Sequence, residues 1–124
     1  MENLDEWVEK LKVVSQKKGS VVVVEGKKDK QKLEKLGIRN IYQIKGKRFY
    51  DILEDLENSS YVIMLTDLDK QGEKIFSRLK FILEREGIPV DWFFRQELKK
   101  FGIKHVEDIP IRRGDVSKTD NTMS

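Results

Sequence analysis

The sequence contains no cysteine and only one histidine, His105, among its 124 residues. The first absence excludes disulfides and thiolate metal sites. The second excludes a zinc site built from several histidines. Any metal must then be held mainly by oxygen, which favours Mg²⁺ or Mn²⁺ over zinc. Long hydrophobic runs are missing too. The valines at 21–24 fall far short of the roughly 20 apolar residues that a membrane helix requires. Met1-Glu2-Asn3-Leu4-Asp5-Glu6 is acidic where a secretory leader needs a basic segment. A cytoplasmic protein with no membrane partner is expected. Neither sign of charge dominates: 25 Lys and Arg stand against 22 Asp and Glu, for a net charge of +3 and a pI near 9.0. That balance is compatible with nucleic acid, but a net charge this small does not decide it, and excess lysines more often serve an ordinary solvated surface. Abundant Lys and Glu without cysteine resembles thermophile usage.

What is present reads as alternating helices and strands. Leu4, Trp7, Leu11 and Val14 recur at helical spacing, so residues 1–19 are expected to form an amphipathic helix that packs on its own sheet or on a second subunit. Four consecutive β-branched residues at 21–24 do not alternate and predict a strand buried on both faces, as in a parallel sheet. A helix over 27–36, a strand over 38–44 and a short helix with Phe49, Ile52, Leu53 and Leu56 on one face follow. The third strand is expected at 61–65 and a longer helix at 73–86. The fourth strand is expected at 89–94, with Trp92 and Phe94 packed upon it, then a short helix at 96–101 and a brief element at 106–109. This order predicts an α/β fold: one domain over residues 20–113 with a four-stranded parallel sheet flanked by helices. Residues 114–124 are polar and aperiodic and are expected to be disordered.

In such a sheet the loops at the carboxyl ends of the strands share one edge, where ligands bind at the reversal of strand order. Glu25 directly follows the first strand, and Asp67 and Asp69 follow the third after one threonine. With strand order 2-1-3-4 these carboxylates meet. Unpaired, they repel one another, so a cation is the natural partner. The structural alternative has Asp67 capping the long helix and Asp69 facing water.

Glu25-Gly26-Lys27-Lys28-Asp29 and Asp67-Leu68-Asp69-Lys70-Gln71-Gly72-Glu73, each after a hydrophobic strand, resemble the two acidic motifs of Toprim domains. Gly46 sits where many members carry a glycine. The resemblance covers about residues 20–94 and implies a three-layer, Rossmann-like domain. It further implies that Asp67 and Asp69 coordinate Mg²⁺ or Mn²⁺, while Glu25 serves acid–base chemistry or metal binding. Toprim domains occur in topoisomerases, primases, OLD-type nucleases, recombination mediator proteins and the nuclease that matures 5S ribosomal RNA. Among these it most resembles that nuclease and small stand-alone members, although the nuclease's further C-terminal domain is not expected in the roughly thirty residues after the fourth strand. The length is expected to leave no room for a domain that supplies a nucleophilic tyrosine, and Tyr42, Tyr50 and Tyr61 are expected to pack.

The resemblance implies metal-dependent phosphodiester hydrolysis, of RNA rather than DNA, with a protein partner supplying further recognition. Gly26, Lys27, Lys28, Lys45, Gly46, Lys47, Arg48 and Gly72 are the expected phosphate contacts, and Arg112-Arg113 a second set. His105 is expected on the surface or at a cap. Three alternatives remain: a non-catalytic binding module, a subunit of a larger primase, topoisomerase or repair machinery, and a phosphoreceiver-like domain with Asp67 as acceptor. The last needs a lysine after a fifth strand, and the sequence shows no such strand.

Overall fold

Three of the four valines at 21–24 are wholly buried, and the sheet alternation sends them to opposite faces. Val22 and Val24 join one core cluster, while Val23 joins the other. A strand buried on both sides requires helices on both sides, and that requirement sets the architecture. The structure, a computed structural model, describes residues 1–111. Its elements are α1 (Leu4–Ser15), β1 (Ser20–Val24), α2 (Lys27–Lys35), β2 (Ile41–Gln43), α3 (Phe49–Leu56), β3 (Tyr61–Met64), α4 (Lys70–Arg85), β4 (Val90–Asp91) and α5 (Phe93–Lys100). A 3-10 turn at Val106–Asp108 follows.

The strands pair in parallel in the order β2-β1-β3-β4. One face carries α1, α2 and α5, with Trp7, Leu11, Leu33, Leu36, Phe94 and Leu98 in its core. The other carries α3 and α4, with Ile52, Leu56, Leu79 and Leu83. This is the expected three-layer α/β domain, with β1 and β3 adjacent. The N-terminal helix lies on its own sheet: Trp7 is fully buried, donates its Nε1–H to the carbonyl of Phe94 at 2.9 Å, and meets the Phe94 ring edge-on at 6.0 Å.

Several boundaries move from their expected places, each for a local reason. Ile38 does not start β2. Gly37, at φ +89°, ends α2, and Ile38 donates its N–H back to Leu33, packing behind the helix as the apolar residue of a glycine cap. The strand expected at 89–94 stops at Asp91, because the Asp91 Oδ1 accepts from the N–H groups of Phe93 and Phe94 and opens α5 there. The helix expected at 96–101 therefore begins at Phe93. Trp92 consequently lies outside the sheet and is half exposed, while Phe94 packs inward. Tyr50 is likewise exposed, whereas the hydroxyls of Tyr42 and Tyr61 donate to Asp55 and Asp91. Arg112-Arg113 and residues 114–124 lie outside the described residues.

Replacing Trp7 by Phe removes the buried hydrogen bond to the Phe94 carbonyl and leaves a void. A loss of about 1–3 kcal/mol is expected in urea unfolding. A change within about 0.5 kcal/mol would mean that α1 is not docked on this sheet in solution.

Candidate metal centre and adjoining cleft

The parallel register brings the carboxyl ends of β1 and β3 side by side. Beyond the strands, Leu65 donates to the carbonyl of Val23 and Lys45 to that of Glu25, so the sheet pairing runs on to the edge of the site. There the Glu25 Oε2 accepts the backbone N–H of Asp67 at 2.6 Å. Asp69 is the N-cap of α4, its Oδ1 accepting from Gly72 at 2.7 Å. The capping role considered for Asp67 thus belongs to Asp69, and α4 starts at Lys70 for that reason. Among the described residues, Asp67 is left with a buried Oδ1 that has no hydrogen-bond partner. An unpaired buried carboxylate oxygen is unfavourable and calls for a ligand.

Among the described residues, one group of three donors stands within reach of a single ion. One ligand atom each from Asp67, Asp69 and His105 lies within 4.8 Å of the others. The His105 Nε2 is 3.2 Å from the Asp69 Oδ2, so this histidine does not occupy an unrelated stretch of surface. Glu25 is not one of the three; it stands beside them, engaged with the backbone of Asp67. Burial, followed by the charges of Glu25 and Asp29, pushes the Asp67 carboxyl up to about 7. Burial raises Glu25 as well, against the opposing bond from the Asp67 N–H. The Gly72 N–H holds Asp69 below the usual carboxylate range. Burial alone would lower His105, but its bond to Asp69 and the charges of Asp67, Asp69 and Asp108 outweigh that and raise it.

Two further residues build the site without having been foreseen as part of it. Arg95 is almost fully buried, donates its Nε–H to the Thr66 carbonyl at 2.9 Å and its Nη2–H to the Asp67 carbonyl at 2.6 Å, and pairs with Glu73. Asp29, buried at the start of α2, accepts from Gly26 at 3.0 Å and from Glu107 at 3.2 Å. It ties the first acidic motif to the C-terminal segment. Asp29 belongs to the quoted motif, but its role there was not legible. Arg95 carried only a weak signal, an arginine abutting the apolar run Trp92-Phe93-Phe94.

A cleft of about 790 Å³ opens beside Glu25 and Asp67. Lys27, Lys28, Lys45 and Lys47 stand among its lining residues, and Ile44, Phe49, Ile52 and Ile75 supply apolar wall. Gly26 and Gly46 also line it. Arg48 is not among those residues and reaches instead to Asp51 at 3.1 Å. Lys47 lies over the Tyr42 ring at 4.0 Å, which directs its stem. Gly72, expected to touch phosphate, is buried, and its missing side chain has a different use. A Cβ there would stand 1.9 Å from the Asp67 carbonyl oxygen. The glycine lets the acidic loop fold onto α4.

Comparison with known proteins agrees with the fold. A family model for the Toprim domain matches residues 19–93. A UPF0292 protein of Methanocaldococcus jannaschii is 32% identical over 114 residues, 87% of this chain and 88% of that protein. Another from Pyrococcus horikoshii is 36% identical over 92 residues, 71% of this chain and 70% of that one. A solved structure of an Aquifex aeolicus protein is 43% identical, with a TM-score of 0.82, covering 88% of this chain and all of that one. The zinc-binding and RNA polymerase domains of the Aquifex aeolicus primase share the fold at 24% identity and a TM-score of 0.53, over 74% of this chain and 25% of that one.

Two outcomes follow from the loop. Gly72→Ala should cost about 2–3 kcal/mol in urea unfolding through the clash with Asp67, and Gly26→Ala, which meets nothing closer than 3.9 Å, less than about 1. Asp67 binds its proton more tightly folded than unfolded. Metal-free stability should therefore fall as pH rises from its unfolded pKa of about 4 through its folded value of about 7. Asp67→Asn should remove that loss and stabilise the chelator-treated protein around pH 8 by something on the order of 1–3 kcal/mol. A less stable variant at that pH would contradict the account of the loop.

Proposed function

The chain belongs to the Toprim-domain family, alongside the UPF0292 proteins it matches, and on that footing we propose that it is a divalent-cation-dependent phosphodiesterase acting on RNA. The observation that carries this reading is the buried, unpartnered Oδ1 of Asp67 next to Asp69, at the end of a cleft lined by lysines. No group among the described residues pairs with that oxygen, and a hard oxygen donor beside a second carboxylate suits Mg²⁺ or Mn²⁺. Asp67 and Asp69 would hold the ion. When bound, it supplies charge neutralisation at the scissile phosphate and makes an attached water more acidic.

The other roles fall to the chain's own side chains. Glu25, held by the Asp67 N–H and raised by burial, is placed in this reading as the base that takes the proton of the attacking water. Water oxygen then bonds to phosphorus, the bond to the leaving oxygen breaks, and that oxygen takes a proton from solvent. Lys27, Lys28, Lys45 and Lys47 bind phosphate oxygens, which positions a strand without reading its sequence. The turn at Gly46, φ +82°, carries Lys45 and Lys47 to the cleft. RNA is favoured by the likeness of the Glu-Gly-Lys-x-Asp segment to the nuclease that matures 5S ribosomal RNA. A cleft of 790 Å³ has the size of a small-molecule site. Recognition of a folded RNA would therefore need surface beyond it, which a protein partner would supply.

The test is cleavage of structured RNA, single-stranded RNA, and single- and double-stranded DNA with each metal. Asp67→Asn should abolish cutting, and Glu25→Gln should slow it about 10²–10⁴-fold. Lys45→Ala should weaken substrate binding and lower the salt dependence by about 0.7 in log–log slope. Undiminished binding without cleavage in wild type and both carboxylate variants would leave a non-catalytic binding module. Cutting that survives in both variants would place the activity elsewhere.

A further inference from the structure

His105 lies outside both acidic motifs, yet its segment is fastened to the site at several points. Leu68, between the two aspartates, donates its N–H to the carbonyl of Lys104 at 2.7 Å. Glu107, in the turn that follows, donates to Asp29. Between these anchors the imidazole turns its Nε2 towards the Asp69 Oδ2 at 3.2 Å and its Nδ1 towards the Asp108 Oδ2 at 3.4 Å. One ring nitrogen thus faces the carboxylate pair and the other faces an outer carboxylate. Metal-bound imidazoles are held in this manner, the outer carboxylate fixing tautomer and ring orientation. The 3.2 Å between the His105 Nε2 and the Asp69 Oδ2 is close to the roughly 3 Å that separates neighbouring donors on an ion with bonds of about 2.1 Å, and a ligand atom of Asp67 lies within 4.8 Å of one from each of these residues.

We propose that His105 is the third protein ligand of the cation site, oriented by Asp108, and that its nitrogen makes the site prefer manganese to magnesium. The proposal rests on the reading of Asp67 and Asp69 as cation ligands and deepens it. Magnesium demands oxygen donors and dehydrates reluctantly, whereas manganese, a transition ion, accepts an imidazole more readily. With His105 completing the donor set, Glu25 is not needed to hold the ion and stays free to act on a proton. The segment after α5 also gains a purpose, since it delivers the one histidine of the chain over the acidic loop.

The experiment is Mn²⁺ binding to the full chain, followed by calorimetry and by electron paramagnetic resonance, with Mg²⁺ as competitor. Wild type should bind Mn²⁺ at least about tenfold more tightly than Mg²⁺, and pulsed spectra should show coupling to a directly bound nitrogen. His105→Ala should lose that coupling and weaken Mn²⁺ by about tenfold or more, with a much smaller effect on Mg²⁺. Asp108→Asn keeps the imidazole and should weaken Mn²⁺ less than His105→Ala does. Circular dichroism on each variant separates lost binding from lost folding. Unchanged Mn²⁺ affinity in His105→Ala, with no nitrogen coupling in wild type while Asp67→Asn abolishes binding, would overturn the role of His105 and leave the carboxylate site standing. Undiminished binding in Asp67→Asn would overturn the carboxylate reading itself.

Discussion

The buried guanidinium of Arg95 holds the acidic loop in place from behind. It donates to the carbonyls of Thr66 and Asp67 and pairs with Glu73, while the Phe76 ring covers it at 4.7 Å. A buried cation is tolerated only when it is paired and hydrogen-bonded, and the loop that bears the carboxylates and the first turn of α4 supply those partners. The same contact holds the backbone of Asp67, whose carboxyl feels the charges of Glu25, Asp29, His105 and Asp69. The strand-to-helix junction at Asp91 matters for this reason. By opening α5 at Phe93 it sets Arg95 in the first turn, beneath the ends of β1 and β3.

The loop is folded in a form that favours a ligand over its own stability. Gly72 and Thr66 close it onto α4, Glu25 takes the Asp67 amide, and Asp69 is spent on the helix cap. Among the described residues, the Asp67 Oδ1 is the buried side-chain oxygen left without a hydrogen-bond partner. Burial beside like charges pushes that carboxyl up to about 7, so above that pH the protein carries a charge it would hold more easily with a cation present. Strain of this kind at one loop of an otherwise well-satisfied domain is how binding sites are ordinarily maintained.

Much of this was legible in the sequence. The uninterrupted valines of β1 require two covered faces, and acidic residues at the ends of β1 and β3 can meet only if those strands are neighbours. The rest depended on information that periodicity does not contain. A run such as Val90-Asp91-Trp92-Phe93-Phe94 is apolar enough for strand or helix, and only the capping side chain of Asp91 ended the strand early. Arg95 and His105 lie far along the chain from Asp67 and Asp69, and no local pattern signals that α5 and the segment after it fold back over the loop. Gly72 looked like a phosphate contact because glycine near an acidic motif reads that way, although its space is filled by a carbonyl of its own loop.

The central claim is that Asp67 is held open for a divalent cation, and thermal unfolding with and without Mg²⁺ or Mn²⁺ around pH 8 tests it most directly. The account predicts that either ion raises the melting temperature of the chelator-treated protein in a concentration-dependent way, and that Asp67→Asn abolishes the rise. A melting temperature indifferent to both ions in the wild-type protein, or a rise that persists in Asp67→Asn, would contradict it.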